Sequence, residues 1–247
     1  MKQQKRDTLM DIALRWKTDK TENGYIERYE SYFEPLRDEK LNILEIGVKR
    51  AHPKYPHGAA SHRTWKEYFP KAQIYGIDID PKNKEYEQER LEIFIGSQDD
   101  PEIMKAVVEK AGHFDIIIDD GSHVNGLTLA SFEGLFPHLK SGGLYVFEDL
   151  GASYLDLEAC QVRQKALHAA SVADDPDAFV HGWFGMDRLP GSVSYTNRRS
   201  DMLAFFHHHM FRMDLGNNKR WADRFNLDPP DIERMDFTCG QCFMKKA

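Results

Sequence analysis

The 247-residue sequence predicts an α/β fold, a doubly wound and mostly parallel seven-stranded sheet with a helical segment before it and a cap region after most of it. Three observations predict this. Short apolar runs alternate with segments of helical composition, the pattern of strand–helix–strand units in a sheet covered on both faces. Five of those runs stop at a glycine or an acidic residue. A sixth apolar stretch, near the carboxyl end, has no helix after it and so returns to the sheet as an edge.

Residues 1–38 read as an amphipathic helical segment. Tyr25, Ile26, Tyr29, Tyr32, Phe33 and Leu36 recur at spacings of three and four, and Pro35 disfavours helix near the end. The core spans 39–150. Its runs are Leu41 to Val48, Ile74 to Asp80, Leu91 to Ile95, Phe114 to Ile118 and Gly143 to Phe147. The intervening helices are expected over Ser61 to Phe69, Pro101 to Ala111 and Gly126 to Leu139. Residues 151–230, with the polar cluster Thr196 to Asp201, read as a cap that binds the acceptor. Residues 231–247 complete the sheet, with an antiparallel strand expected near Phe237 to Met244.

Composition narrows the function. The chain is 41% hydrophobic and 30% charged, which is ordinary for a globule and excludes disordered and fibrous classes. Thirty-three basic against forty acidic side chains leave a net charge of −7, which argues against nucleic acid as the main partner. No apolar run approaches a membrane span, and the charged start MKQQKRDTLM is unlike a secretory leader. Three cysteines suit a reducing compartment, so a cytoplasmic enzyme is the expectation.

Right-handed crossovers place the carboxyl ends of all parallel strands on one rim, where open α/β sheets bind ligands. Here that rim carries Glu45 and Gly47, Asp78, the turn Gly96-Ser97-Gln98-Asp99, Asp119-Asp120 and Glu148-Asp149. A dinucleotide would call for G-x-G-x-x-G after the first run, but Gly47 is followed by Val48-Lys49-Arg50-Ala51 and the next glycine is Gly58. Glu45 beside Gly47 suits a cationic cofactor better than a pyrophosphate, and Asp78 can hold ribose hydroxyls in either case. Asp119, Asp120, Glu148 and Asp149 follow consecutive runs. Four clustered carboxylates repel one another, and a hard divalent ion such as Mg²⁺ relieves that repulsion. His123, three residues beyond Asp120, is then placed to act as a base. Other features read as bland: Cys239-Gly240-Gln241-Cys242 lacks the context of a redox or zinc pair, His207-His208-His209 is a polar or interface patch, and Trp65, Tyr68 and Phe69 are core.

Taken together, Leu44-Glu45-Ile46-Gly47-Val48, Gly76-Ile77-Asp78-Ile79-Asp80, Gly96-Ser97-Gln98-Asp99, Asp115 to His123 and Tyr145 to Leu150 resemble the class I S-adenosylmethionine-dependent methyltransferases. More narrowly, they resemble the metal-dependent macrolide and rhamnosyl sugar O-methyltransferases of antibiotic biosynthesis. The resemblance covers roughly residues 40–155, with weaker support from Thr18-Asp19-Lys20 through Tyr32. It implies a Rossmann-like sheet, S-adenosyl-L-methionine and Mg²⁺ as cofactors, a glycosylated small molecule as substrate and a homo-oligomeric enzyme. It further implies that Glu45, Gly47, Ser61, Asp78, Gln98 and Asp119 line the cofactor. Asp120, Glu148 and Asp149 would hold the metal, with His123 as the base. The stretch from Lys49 to Ala60 departs from the family pattern. Rival readings are an NAD-dependent oxidoreductase on a similar fold, a methyltransferase of a catechol-like diol, and a binding module without turnover.

Overall fold

The computed structural model describes residues 6–48, 51, 53–153, 199–216, 230–238 and 240–247. Seven strands form one sheet in the order β3-β2-β1-β4-β5-β7-β6. They are β1 (Asn42–Ile46), β2 (Gln73–Asp78), β3 (Leu91–Ile95), β4 (Phe114–Asp119), β5 (Leu139–Phe147), β6 (Ile232–Thr238) and β7 (Gln241–Lys246). The helices are α1 (Leu9–Trp16), α2 (Ile26–Phe33), α3 (Ala60–Tyr68), α4 (Pro101–Ala111), α5 (Asn125–Leu135), α6 (Leu150–Ser153) and α7 (Arg199–Gly216). This is the expected Rossmann-like, mostly parallel architecture. The chain divides into two compact units, Met1–Ile118 and Asp119–Ala247. Among the described residues no helix is long and apolar enough to cross a membrane.

In the first unit, the expected helical segment is two helices with 3₁₀ turns rather than one. Thr8 and Asp11 form a capping box that starts α1, and Lys17 in the left-handed region ends it. Gly24, at φ 72°, turns the chain into α2. Tyr29 and Phe33 of α2 are buried and meet Trp65 and Phe69, with ring centroids 4.9–5.5 Å apart. Offset and edge contacts of this kind add to the large area such rings bury. The heptad-like spacing seen in the sequence therefore marks the face that packs on α3. β1 pairs with β2, and β2 with β3, all parallel. Gly76 on β2 is obligatory: a Cβ there would lie 2.8 Å from Val48 Cγ2 and 3.0 Å from His62 Nε2.

In the second unit, α5 ends at Leu135, a 3₁₀ turn follows, and β5 begins at Leu139. The sequence places helix through Leu139 and strand only from Gly143. Lys140, Ser141 and Gly142 carry no apolar pattern because they are exposed, and Ser141 Oγ donates to the Ala247 carbonyl at 2.8 Å. The terminal run is a hairpin, not one strand. Phe237 pairs with Cys242 and Thr238 with Gln241, and Gly240, just before β7, has φ 76°. The antiparallel partner of β5 is β7, and Phe237 sits across the turn on β6. Cys242 is buried with a free thiol that burial pushes up in pKa, while Cys239 lies outside the described residues. Of the three histidines, His207 and His208 are exposed, and His209 is half-buried with its ring packed on Phe132 and Phe205. Most of the expected cap, including Thr196 to Arg198 of its polar cluster, lies outside the described residues.

Candidate active site

The first unit holds most of the residues expected to bind a cofactor. β1 ends at Ile46, and Gly47 follows at φ 94°, a backbone conformation that favours glycine, with its N–H donating to the Ile77 carbonyl at 2.8 Å. The next amide, Val48 N–H, donates to Asp78 Oδ2 at 2.7 Å, and Asp80 N–H donates to Asp78 Oδ1 at 2.7 Å. Burial raises the Asp78 pKa, and these backbone donors oppose that rise. The Asn83 side chain adds a third hydrogen bond to this carboxylate, which leaves part of its accepting capacity for a diol hydroxyl. Gly96 N–H donates to the Asp78 carbonyl at 2.9 Å, and a Cβ on Gly96 would collide with Ile103. That close packing fixes the turn carrying Gln98, which is buried.

Glu45 occupies a different kind of position. Its carboxylate is wholly buried and accepts from Ser61 Oγ and Trp65 Nε1, each at 2.9 Å. His62 Nδ1 lies 3.1 Å from the same oxygen, and Lys20 Nζ lies 3.2 Å from the other. The sequence reading did not find Lys20 or His62. A lysine at 1% exposure has no periodic signature; only the Thr18-Asp19-Lys20 resemblance touched it.

In the second unit, β4 and β5 deliver the acidic ends. Asp119 is buried and accepts from Tyr145 Oη at 3.2 Å; burial, reinforced by Asp119, raises the phenol's pKa and keeps it protonated as a donor. Glu148 N–H donates to the Asp119 carbonyl at 2.9 Å, which ties the two strand ends together. Beyond them, Asp120, His123 and Asp149 each offer a ligand atom, and these atoms lie within 4.8 Å of one another. His123 Nε2 is 3.6 Å from Asp149 Oδ2 and 3.9 Å from Asp120 Oδ1, too far for hydrogen bonds. His123 (φ 56°) and Asp149 (φ 52°) both adopt left-handed backbone, uncommon for residues with a Cβ. Such strain collects at functional sites, where surrounding structure over-determines it. Of the expected metal ligands, Asp120 and Asp149 are brought together with His123. Glu148, at 6% exposure, is not part of that group.

No family model matches the chain. It is 35% identical over 214 residues to mycinamicin VI 2''-O-methyltransferase of Micromonospora griseorubida, covering 81% of this chain and 51% of that protein. It is 40% identical over 149 residues to demethylmacrocin O-methyltransferase of Streptomyces fradiae, covering 59% of this chain and 37% of that one. Among solved structures, the MycE methyltransferase of the mycinamycin biosynthetic pathway, in complex with Mg and SAH, superimposes with a TM-score of 0.68 at 28% identity. That match covers 98% of this chain and 55% of the other. The chain thus spans about half the length of the relatives it matches. In sequence and in fold it is similar to the class I S-adenosylmethionine-dependent methyltransferases, and within them to the sugar O-methyltransferases of antibiotic biosynthesis.

Proposed function

We propose that the chain is an S-adenosylmethionine- and Mg²⁺-dependent O-methyltransferase acting on a hydroxyl of a sugar moiety of a natural product. The observation that carries this reading is the convergence of Asp120, His123 and Asp149 at the ends of neighbouring strands, with His123 and Asp149 held in left-handed backbone. The Asp120 and Asp149 carboxylates in one small volume fit a divalent cation, which offsets their mutual repulsion, and the His123 imidazole stands beside them. The relatives named above, and a MycE complex that contains Mg, SAH and mycinamycin VI, support the same chemistry.

In this reading Asp120, Glu148 and Asp149 hold the metal. Gly47, Ser61, Asp78 and Gln98 bind S-adenosylmethionine, with Asp78 on the ribose and Glu45 acting behind Ser61. Asp119 keeps its expected place in cofactor binding, fixed by Tyr145. When bound, Mg²⁺ supplies Lewis acidity that polarises and orients the acceptor hydroxyl. His123 takes the hydroxyl proton at Nε2 as the oxygen–methyl bond forms and the sulfur–methyl bond breaks, leaving S-adenosylhomocysteine. Proton transfer of this kind contributes typically ~10²–10⁴-fold, and in-line alignment of sulfonium and oxygen supplies much of the rest. Three further readings go with the proposal: a homo-oligomer, a cytoplasmic location, and no nucleic-acid or membrane partner.

The test is incubation with S-adenosylmethionine, Mg²⁺ and a panel of glycosylated metabolites, followed by mass spectrometry for a one-methyl gain on the sugar. Methylation of catechols alone would transfer the activity to the vicinal-diol alternative. Oxidation of reduced nicotinamide without methyl transfer would favour the oxidoreductase.

A further inference from the structure

Read from the sequence, Glu45 is a contact for the cationic end of a cofactor. In the fold its carboxylate is sealed. Lys20 and Glu45 are 1% and 0% exposed, and His62 and Trp65 are equally buried. Of the groups gathered on this carboxylate, only Ser61 is half-buried. Whatever Glu45 does for a ligand therefore passes through the Ser61 hydroxyl.

The polarity of that hydroxyl follows from the network. A carboxylate only accepts, so Ser61 donates its single O–H to Glu45 Oε2, at 2.9 Å. His62 cannot supply a competing charge, because burial lowers its pKa and holds it neutral. Its Nδ1 lies 3.1 Å from Glu45 Oε2 and 3.3 Å from Ser61 Oγ. A carboxylate oxygen at that distance calls for the proton on Nδ1, so this nitrogen cannot take the Ser61 proton and occupies at most one Ser61 lone pair. What Ser61 offers outward is lone pairs. It suits a donor such as an ammonium and disfavours a carboxylate, and an amino-acid group carries one of each. Lys20 is what keeps this arrangement polarised. A buried carboxylate stripped of its counter-charge takes up a proton rather than remain ionised. A protonated carboxyl donates to Ser61 and turns the hydroxyl's own proton outward.

We propose, resting on the cofactor reading above, that Lys20 and Glu45 are positioning residues that hold Ser61 as the acceptor for the α-ammonium of the amino-acid end of S-adenosylmethionine. On this view the segment before β1 belongs to the cofactor site.

Calorimetry with S-adenosylhomocysteine, its deamino analogue and its decarboxy analogue tests the assignment. The folded wild-type chain should bind S-adenosylhomocysteine at least about tenfold more tightly than the deamino analogue. Ser61→Ala, a small change at a half-buried position, should close that gap by weakening S-adenosylhomocysteine and leaving the deamino analogue unchanged. Lys20→Met should close it as well. The double variant Lys20→Met/Glu45→Leu removes both charges and the acceptor of the Ser61 proton, and the gap should stay closed in it even where thermal stability recovers relative to Lys20→Met. If the double variant regains both stability and discrimination, the pair is only structural and the proposal fails. It fails too if Ser61→Ala keeps the gap, or erases discrimination against the decarboxy analogue instead. Should Lys20→Met not fold, the Ser61→Ala comparison decides alone. No binding of S-adenosylhomocysteine to the wild type would overturn the cofactor reading itself, an outcome distinct from binding without discrimination.

Discussion

Replacing Asp78 by alanine perturbs cofactor binding and loop anchoring together, and the two effects are read by different measurements. The carboxylate has two tasks. It accepts Val48 N–H and Asp80 N–H, each at 2.7 Å, and so fixes the loops that follow β1 and β2. In the proposed function its remaining accepting capacity serves the ribose diol. Charge-assisted hydrogen bonds of the second kind contribute about 1.5–3 kcal/mol together, so their loss should weaken S-adenosylhomocysteine by roughly ten- to a hundredfold. The first task adds a stability cost of about 1–3 kcal/mol, since two backbone donors lose a charged acceptor. That corresponds to a fall in Tm of the order of 5 °C for a domain of this size. Asp78→Asn distinguishes the two effects, because its amide oxygen can replace one acceptor but its nitrogen cannot accept from the other. Calorimetric titration gives the affinities and a thermal melt gives the stability. Burial also lifts the Asp78 pKa, so affinity should decline on acidification earlier than for an exposed aspartate, as the anion that accepts the hydroxyls is lost. If Asp78→Ala melts normally and binds S-adenosylhomocysteine with wild-type affinity, the ribose lies elsewhere and the reasoning is wrong.

Excess chelator should abolish methyl transfer while S-adenosylhomocysteine binding persists, and added Mg²⁺ should restore turnover; full activity in chelator would return Asp120, Glu148 and Asp149 to a structural role. His123→Ala should lower kcat at least about a hundredfold with little change in cofactor affinity, because a base acts in the transition state. Loss of Mg²⁺ affinity in that variant would make His123 a ligand instead. Gly76→Ala forces a methyl against Val48 and the buried His62 ring, and should cost about 1–3 kcal/mol in denaturant unfolding. An unchanged midpoint would mean the ring yields without cost. His209 is lowered to about 4, first by burial and then by His208 and Arg212. Its folded pKa lies below the unfolded value, so the unfolded chain binds the extra proton first and stability falls as pH drops from about 6.5 to 4. With solvent screening discounted, roughly 1 kcal/mol is at stake, and His209→Phe should flatten the stability profile over that window.

What could be read from the sequence and what could not divide along a physical line. Strands announce themselves because β1, β2 and β4 are buried on both faces over most of their length and read as short, mainly apolar runs. Their carboxyl ends are then fixed points, so Asp78, Asp119, Asp120 and Asp149 could be placed on the rim before any coordinates. Residues 140–142 and the β6–β7 hairpin escaped because an exposed strand and a tight turn at Gly240 leave no hydrophobic period to detect. The Lys20–Glu45 pair escaped for another reason. Lys20, Glu45 and the Ser61-His62 pair come from a 3₁₀ turn, a strand and a helix, far apart in the sequence, and no local pattern links the three. Alone, a buried lysine is merely improbable, and Glu45 looks free to meet a ligand. Once the two charges are paired, the improbability of one explains the burial of the other. The ligand-facing polarity then moves from the carboxylate to the hydroxyl beside it. Strand-end chemistry can thus be read along the chain, but which atom of the site meets the ligand depends on partners that only the fold brings together.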